Sequence, residues 1–342
     1  PHYQEREKLG TLDRSLIRKM GQLGLLGTEF PEDLGGLGAP AVTAGLITEE
    51  LARGDFNIAS MMVATSLMGT IIARGARPEL LSEWLPQIIN GEMLVGLGLT
   101  EPSAGSDAAN IKLRAKRSGD DYVLNGEKTS ITLAIGADAF LVLTRTATPE
   151  DRARGVTAFF VPGDAPGLSR IRADDVGGIM QGRGSLFFDD VKVPSRFRLG
   201  DEGEGFSRVM VGFDYSRAII ALLCVGAAQA SLDEAWAYTT ERHAFGSPIS
   251  QFQGVTFPLA EMDSMLCAVR ELSYQTLALR DANLPHTAEA AMVKFLAPKV
   301  AFDTIHQCLL TFGHYGCSKD YPHQQRLRDV MGFEIGYGSA GI

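Results

Sequence analysis

The chain has 342 residues, and 45% of them are hydrophobic, which is enough to bury a large core and to form two or three domains. Its 32 basic and 41 acidic residues give a net charge of −9, the wrong sign for a protein that binds nucleic acid. Four cysteines without a Cys-x-x-Cys pair indicate no disulfide framework or zinc site and fit a reducing cytoplasm. No apolar run approaches the roughly 18 to 20 residues that a membrane span needs, and no basic-then-apolar leader opens the chain.

Three segments differ in their hydrophobic pattern. Residues 1–92 have helical periodicity, interrupted by a Pro- and Gly-rich segment at 31–38, and are predicted to form a helical domain. Residues 93–202 contain short β-branched runs and a turn at 118–120, which predicts a β domain with strands near 140–144, 156–161 and 186–193. Helical periodicity returns over residues 203–342, where Pro258 should kink or break a helix.

This order of helices, strands and helices excludes one familiar architecture. Strands and helices do not alternate, and no Gly-x-Gly-x-x-Gly motif follows a first strand. A doubly wound sheet that binds a nicotinamide dinucleotide is therefore disfavoured.

The most specific motif reads Leu-Gly-Leu-Thr-Glu-Pro-Ser-Ala-Gly-Ser-Asp and occupies residues 97–107, where the first helical segment passes into the β segment. Small residues and hydroxyls in such a turn can offer backbone N–H groups to an anionic or carbonyl-rich ligand. The alternative is an ordinary solvent-exposed turn.

This motif resembles the Thr-Glu-Pro-x-Ala-Gly-Ser-Asp segment of the acyl-CoA dehydrogenase family, and further matches follow in order along the chain. Residues 125–132 resemble the family's Asn-Gly-x-Lys-x-Trp-Ile-Thr strand, and residues 188–194 its Phe-x-Asp-Val-x-Val-Pro segment. Residues 203–206 resemble the loop that enters its helix bundle, and residues 241–246 its Glu-Arg-x-x-Phe-Gly stretch. The resemblance implies an α+β fold with a helical N-terminal domain, a central β-barrel-like domain and a C-terminal four-helix bundle.

The resemblance also implies FAD as cofactor, an acyl-CoA substrate, an electron-accepting flavoprotein as partner, and a homotetramer. Thr132 would lie near flavin N5, whereas Arg242 and Phe245 would contact the pyrophosphate and adenine of a neighbouring subunit's FAD. An ordinary salt bridge is the alternative for Arg242. The expected FAD contacts are Leu97, Leu99, Thr100, Gly105, Ser106, Ser130, Ile131, Thr132, Arg242, Phe245, Leu310, Gly313, His314, Gly338 and Ser339.

The acyl-CoA is expected to contact residues from three separate segments of the sequence. For Asp214 and Arg217, a pair on a helix surface is the alternative. The expected substrate contacts are Ser106, Phe213, Asp214, Arg217 and Gly338.

The main departure of this sequence from the family pattern is at the position of the catalytic base. Members abstract the α-proton of the thioester with a glutamate near the C-terminus, and that position holds Tyr337 here; the position used by other members holds Ser216. A phenol titrates near 10 and is a poor base at neutral pH. The backbone N–H of Tyr337 could still polarise the thioester carbonyl.

Two further departures indicate a wider pocket. Ser130 stands where the family has the tryptophan of its Trp-Ile-Thr strand, and Leu310 stands where a glutamine is frequent. Residues 324–336 resemble most closely the dehydrogenases of cyclic acyl-CoAs such as cyclohexanecarboxyl-CoA.

The sequence therefore favours α,β-dehydrogenation of a bulky or cyclic acyl-CoA, with Tyr337 at the catalytic position. Two alternatives stay open: a non-catalytic subunit that completes a partner's FAD site, and another flavin reaction on an acyl-CoA. The flavin-proximal Thr-Glu-Pro and Ile-Thr residues favour the two enzymatic functions.

Overall fold

A computed structural model describes residues 2–339, and its first part is helical. Asp13 caps α2 by accepting a hydrogen bond from the Ser15 N–H, and Asp55 caps α4 by accepting one from the Ile58 N–H. The predicted break at residues 31–38 separates α2 from α3. The helices are α1 (Tyr3–Leu9), α2 (Arg14–Gln22), α3 (Ala41–Gly54), α4 (Phe56–Gly75) and α5 (Pro78–Ile89).

The middle part is an eight-stranded, mostly antiparallel sheet. Its strands are β1 (Val95–Gly98), β2 (Arg114–Ser118), β3 (Asp121–Ile131), β4 (Ala139–Arg145), β5 (Val156–Pro162), β6 (Leu168–Arg172), β7 (Gly184–Pro194) and β8 (Arg198–Leu199). The strand order is β6-β7-β3-β2-β4-β5-β8, with β1 parallel to β4. Gly119 forms the predicted β2–β3 turn with a φ of 63° that glycine adopts without strain.

The last part is a bundle of long helices. It contains α6 (Gly205–Glu241), α7 (Gln253–Asp281), α8 (Thr287–Phe312) and α9 (His323–Ile335), with the short hairpin of β9 (His243–Ala244) and β10 (Ser247–Pro248) between α6 and α7. A kink or a break was predicted at Pro258, and helix α7 continues through this residue without a break. Pro258 lies near the start of α7, and the residue whose carbonyl it leaves unpaired, Gly254, is exposed and accessible to water. The predicted α+β fold class is confirmed.

Helices α4 and α6 are long and apolar enough to span a membrane, which corrects the expectation that no run in the chain approaches this length. In the most apolar 18-residue stretch of α4, 83% of the residues are buried inside the fold, and in that of α6 the share is 78%. Apolar residues of α6 pack against α3, α4, α7 and α8, so these two helices form the centre of the protein core.

The His323 imidazole is buried in this core without a hydrogen bond among the described residues. It packs against Phe312 with ring centroids 4.4 Å apart, and the nearest carboxylate, that of Glu234, is 3.6 Å away. Burial lowers the pKa of His323 to about 4, and the nearby Arg326 guanidinium also lowers it. His323 is therefore neutral in the folded protein at neutral pH.

We expect His323 to make the fold sensitive to acid. Between pH 6.5 and 4 the unfolded chain binds a proton at this residue that the folded chain does not, so acid favours unfolding. The free energy of unfolding should fall by about 3 kcal/mol across this window. Urea unfolding of the wild type and of His323→Leu at several pH values tests this. An equal pH dependence in both proteins would contradict it.

Candidate active site

The segment that follows β1 forms an open turn. Leu97 is half-buried and Leu99 buried, Thr100 is half-buried, and the turn that begins at Glu101 exposes Gly105 and Ser106. A side chain at Gly105 would meet no other atom within 4 Å, so the backbone there is open to a ligand.

The end of β3 lies against this turn. The Thr129 N–H donates to the Thr100 carbonyl at 2.9 Å, which places the next residues of β3 beside residues 99–100. The β3–β7 pairing slips between Lys128 and Ile131, and Ser130 has a φ of 55°. This irregularity leaves Ser130 exposed while Ile131 is buried and Thr132 is half-buried. The predicted flavin contacts of the two segments are therefore neighbours.

Tyr337 lies in the loop that follows α9. Its backbone is left-handed, with a φ of 59°, and its ring stands 5.7 Å from that of Phe213 and 6.1 Å from that of Phe333, measured between centroids. Tyr337 as a whole is half-buried, but the protein atoms around the phenol raise its pKa to about 12. The phenol therefore stays protonated at neutral pH.

Residues from distant parts of the sequence converge on this loop. The Ser339 hydroxyl lies 3.5 Å from that of Ser106, and Lys294 Nζ donates to the Gly338 carbonyl at 3.0 Å. A Cβ at Gly338 would lie 3.9 Å from the Arg217 guanidinium. The open turn, α6, α8 and the loop after α9 thus meet at one place.

The Asp214 and Arg217 side chains on α6 belong to the same place. The Thr287 hydroxyl donates to Asp214 at 2.6 Å, and Arg217 Nη1 lies 3.4 Å from Asp214 Oδ1. Both charged side chains are three-quarters buried and pair with each other on α6, and their contact with an acyl-CoA stays a prediction.

A second group of predicted FAD contacts lies away from the open turn and from the loop after α9. Arg242, Phe245, Leu310, Gly313 and His314 are all exposed, at the end of the bundle where Tyr238 of α6 stacks on Phe312 of α8 with centroids 4.2 Å apart. Helix α6 runs unbroken to Glu241, so the 25 residues from Arg217 to Arg242 separate the two places by about 38 Å. One chain therefore cannot bring Arg242 to its own open turn.

The salt bridge considered for Arg242 is not present within residues 2–339. Its guanidinium makes no ion pair in this part of the chain, and Phe245, three residues later, is 97% exposed with a φ of 53°. An exposed cation and an exposed aromatic ring in one short segment are suited to a ligand with both phosphate and an aromatic base.

Three residues of the site were not predicted from the sequence. Thr287 donates to Asp214, Lys294 donates to Gly338, and Lys128 donates to the Leu99 carbonyl at 2.9 Å. Lys294 could have been found, because it lies among the buried positions Ala290, Val293 and Ala297 of α8, and a lysine on an apolar helix face needs a polar partner. Burial lowers its pKa.

Comparison with known proteins gives three matches to domain families that together cover most of the chain. The family descriptions are Acyl-CoA dehydrogenase, N-terminal domain, over residues 1–92, middle domain over residues 96–191, and C-terminal domain over residues 203–342. The first match begins at residue 1, and the last extends beyond the described residues to 342.

Individual relatives agree with this result. The chain is 36% identical to Probable acyl-CoA dehydrogenase YngJ of Bacillus subtilis, over all of this chain and 90% of that protein. It is also 36% identical to the mitochondrial short-chain specific acyl-CoA dehydrogenase of Rattus norvegicus, over 96% of this chain and 80% of that protein. Caffeyl-CoA reductase-Etf complex subunit CarC of Acetobacterium woodii is 33% identical, over 99% of this chain and 89% of that protein.

A solved structure shows the same fold. Butyryl-CoA dehydrogenase from Megasphaera elsdenii superposes with a TM-score of 0.95 at 33% identity, over all of this chain and 90% of that one. The chain belongs to the acyl-CoA dehydrogenase family, and it is an FAD-dependent oxidoreductase that acts on acyl-CoA.

Proposed function

We propose that this chain oxidises a bulky or cyclic acyl-CoA at its α and β carbons, with Tyr337 in the position from which a base would take the α-proton. The observation that carries the proposal is the convergence of Ser106, Arg217, Tyr337 and Gly338, which come from three separate segments. A thioester held there would lie between the open turn and the loop after α9.

The residues present fit FAD. In the proposed placement, Leu97, Leu99 and Thr100 contact the flavin ring from one side and Ser130, Ile131 and Thr132 from the other. Ser106 and Ser339, whose hydroxyls are neighbours, bind a phosphate beside the open backbone at Gly105. Bound FAD supplies the acceptor for the hydride that leaves the β-carbon.

The acyl-CoA would be held by groups that surround Tyr337. Arg217 and Lys294 place two positive charges near Gly338, and such charges stabilise the negative charge that develops on a thioester oxygen. The Tyr337 N–H donates no hydrogen bond within residues 2–339, so it is available to the thioester carbonyl. The phenol itself contributes little, because a pKa near 12 keeps it protonated.

We propose a cyclic acyl group as the substrate, with short straight-chain groups as the competing class. The exposed Ser130 supports the cyclic group, because it leaves open the space that a tryptophan would fill. The relatives favour the competing class, because several are named short-chain specific and one solved structure is named butyryl-CoA dehydrogenase. The binding affinities of cyclohexanecarboxyl-CoA and butyryl-CoA for the flavin-loaded protein would separate the two classes.

Self-association and an electron acceptor complete the proposal. The roughly 38 Å between the two groups of FAD contacts is bridged if Arg242 and Phe245 serve the FAD of a neighbouring subunit, as in a homotetramer. Exposed apolar side chains on α7 and α8, among them Phe257, Met292 and Phe295, would be covered by the same association. An electron-accepting flavoprotein would reoxidise the flavin, and CarC is named as part of an Etf complex.

The second candidate function is a non-catalytic subunit, and the protonated phenol at position 337 is the observation that favours it. A non-catalytic subunit should bind acyl-CoA without any turnover. For both functions we propose a reducing, cytoplasmic location, which agrees with the four unpaired cysteines.

The purified protein is expected to carry one non-covalently bound FAD per chain. The reason is that the open turn and the end of β3 form one continuous surface within each subunit. Absorbance of the flavin against protein concentration, before and after heat release of the cofactor, measures this ratio. A colourless protein that takes up no added FAD would contradict both enzymatic functions.

A further inference from the structure

Lys128 is a completely buried lysine in the middle of β3. Its side chain has no exposed surface, and its ammonium donates to the Leu99 carbonyl at 2.9 Å and to Glu101 Oε1 at 2.8 Å. Both acceptors belong to the segment that joins β1 to the open turn. A charge buried this deeply is costly unless hydrogen bonds satisfy it, so the arrangement fixes this segment firmly to β3.

The carboxylate of Glu101 is equally well satisfied. It accepts the Lys112 N–H at 2.6 Å and the Leu113 N–H at 2.9 Å in addition to the lysine. Burial lowers the pKa of Lys128 and the Glu101 charge offsets part of this, and the resulting pKa of about 8 keeps the ammonium mostly charged at neutral pH.

The Leu99 carbonyl shares its peptide group with the Thr100 N–H, which donates no hydrogen bond within residues 2–339. When a carbonyl accepts a hydrogen bond from an ammonium, the peptide becomes more polarised, and its N–H becomes a stronger donor. The Lys128 charge thus makes the Thr100 N–H a stronger donor, and this N–H has no acceptor within residues 2–339.

We propose that Lys128 is a positioning residue that, through the Leu99–Thr100 peptide, strengthens flavin binding and raises the flavin's reduction potential. The inference rests on the proposed placement of the flavin against Leu99 and Thr100. Reduction adds negative charge to the flavin ring, so a stronger N–H donor stabilises the reduced form more than the oxidised form. A purely structural lysine would stabilise the fold without this difference.

The test compares Lys128→Met with Lys112→Met, a matched control whose side chain is exposed and whose backbone N–H still binds Glu101. Dissociation constants of FAD are measured by titrating the apoprotein, and midpoint potentials by dye equilibration of the flavin-loaded protein. In Lys128→Met, the affinity for reduced FAD relative to oxidised FAD should be about tenfold lower than in the wild type. This corresponds to a midpoint potential that is lower by about 30 mV for a two-electron couple. Lys112→Met should match the wild type.

Lys128→Met could leave Glu101 as an unpaired buried charge and fail to fold, so Glu101→Gln with Lys128→Met is the second variant. It removes both charges and keeps an oxygen for the backbone donors, and it should show the same lower potential. If every folded variant that lacks Lys128 has the potential and FAD affinity of Lys112→Met, the inference is overturned. A wild-type protein that binds no FAD would instead overturn the proposed function.

Discussion

Replacing Tyr337 by glutamate is expected to raise the rate of flavin reduction by a bound acyl-CoA at least about a hundredfold in a single turnover. A pKa near 12 leaves the phenol almost entirely protonated at neutral pH, whereas a carboxylate there is available to accept the α-proton. Tyr337→Asp should gain more with a cyclic substrate, because its side chain is shorter. Aspartate also adopts the left-handed backbone of this position more readily than most residues.

Anaerobic stopped-flow mixing of the flavin-loaded variants with acyl-CoA measures this rate. Loss of the ring contacts with Phe213 and Phe333 should cost about 1–3 kcal/mol of stability, so each variant's flavin content is checked first. Glu334→Gln is the control for a carboxylate already near the loop, one turn earlier at the end of α9. If both carboxylate variants bind acyl-CoA and neither reduces the flavin faster than the wild type, the lack of a carboxylate at position 337 does not limit this rate.

Arg242→Ala is expected to weaken FAD binding about tenfold to a hundredfold, the usual loss for a charged hydrogen bond to phosphate. Arg18→Ala, at an exposed position of α2 outside both groups of predicted FAD contacts, is the matched control and should bind FAD normally. FAD affinity is measured by fluorescence titration of the apoproteins.

Mixed oligomers of two variants test whether Arg242 binds the FAD of a neighbouring subunit. Ser106→Asp places a carboxylate at the proposed phosphate site of its own subunit, whereas Arg242→Ala damages the site of a neighbour. In hybrids of the two variants, some sites combine an intact Ser106 from one chain with an intact Arg242 from the other. Such hybrids should regain some sites with the FAD affinity of the wild type, which neither parent has. Hybrids without any recovery would show that both residues act on the same subunit's FAD.

The order of the three parts could be predicted from the sequence because their hydrophobic periods differ, and the family resemblance supplied the candidate residues. The slip in β3 at residues 128–131 could not be predicted, because register depends on the partner strand β7. The same holds for Lys294, whose partner Gly338 lies 44 residues later in the sequence. Such partners are visible only when the packed structure brings them together.

The separation of the two groups of predicted FAD contacts is a different case. The residues of both groups were named from the sequence, but their distance depends on α6 being one unbroken helix of 37 residues. Pro258 shows the opposite limit, because the local rule allowed either a kink or a break, and the helix continues through this residue. Local rules therefore identify candidate residues better than they identify the length of an element.

The central claim is that this protein holds FAD and an acyl-CoA together but lacks an efficient base at position 337. Anaerobic mixing of the wild-type protein with butyryl-CoA or cyclohexanecarboxyl-CoA, followed by flavin absorbance, tests it most directly. We expect an immediate shift of the flavin spectrum on binding, followed by slow bleaching. Rapid bleaching that is unchanged in Tyr337→Phe would contradict it, because the base would then lie elsewhere in the site.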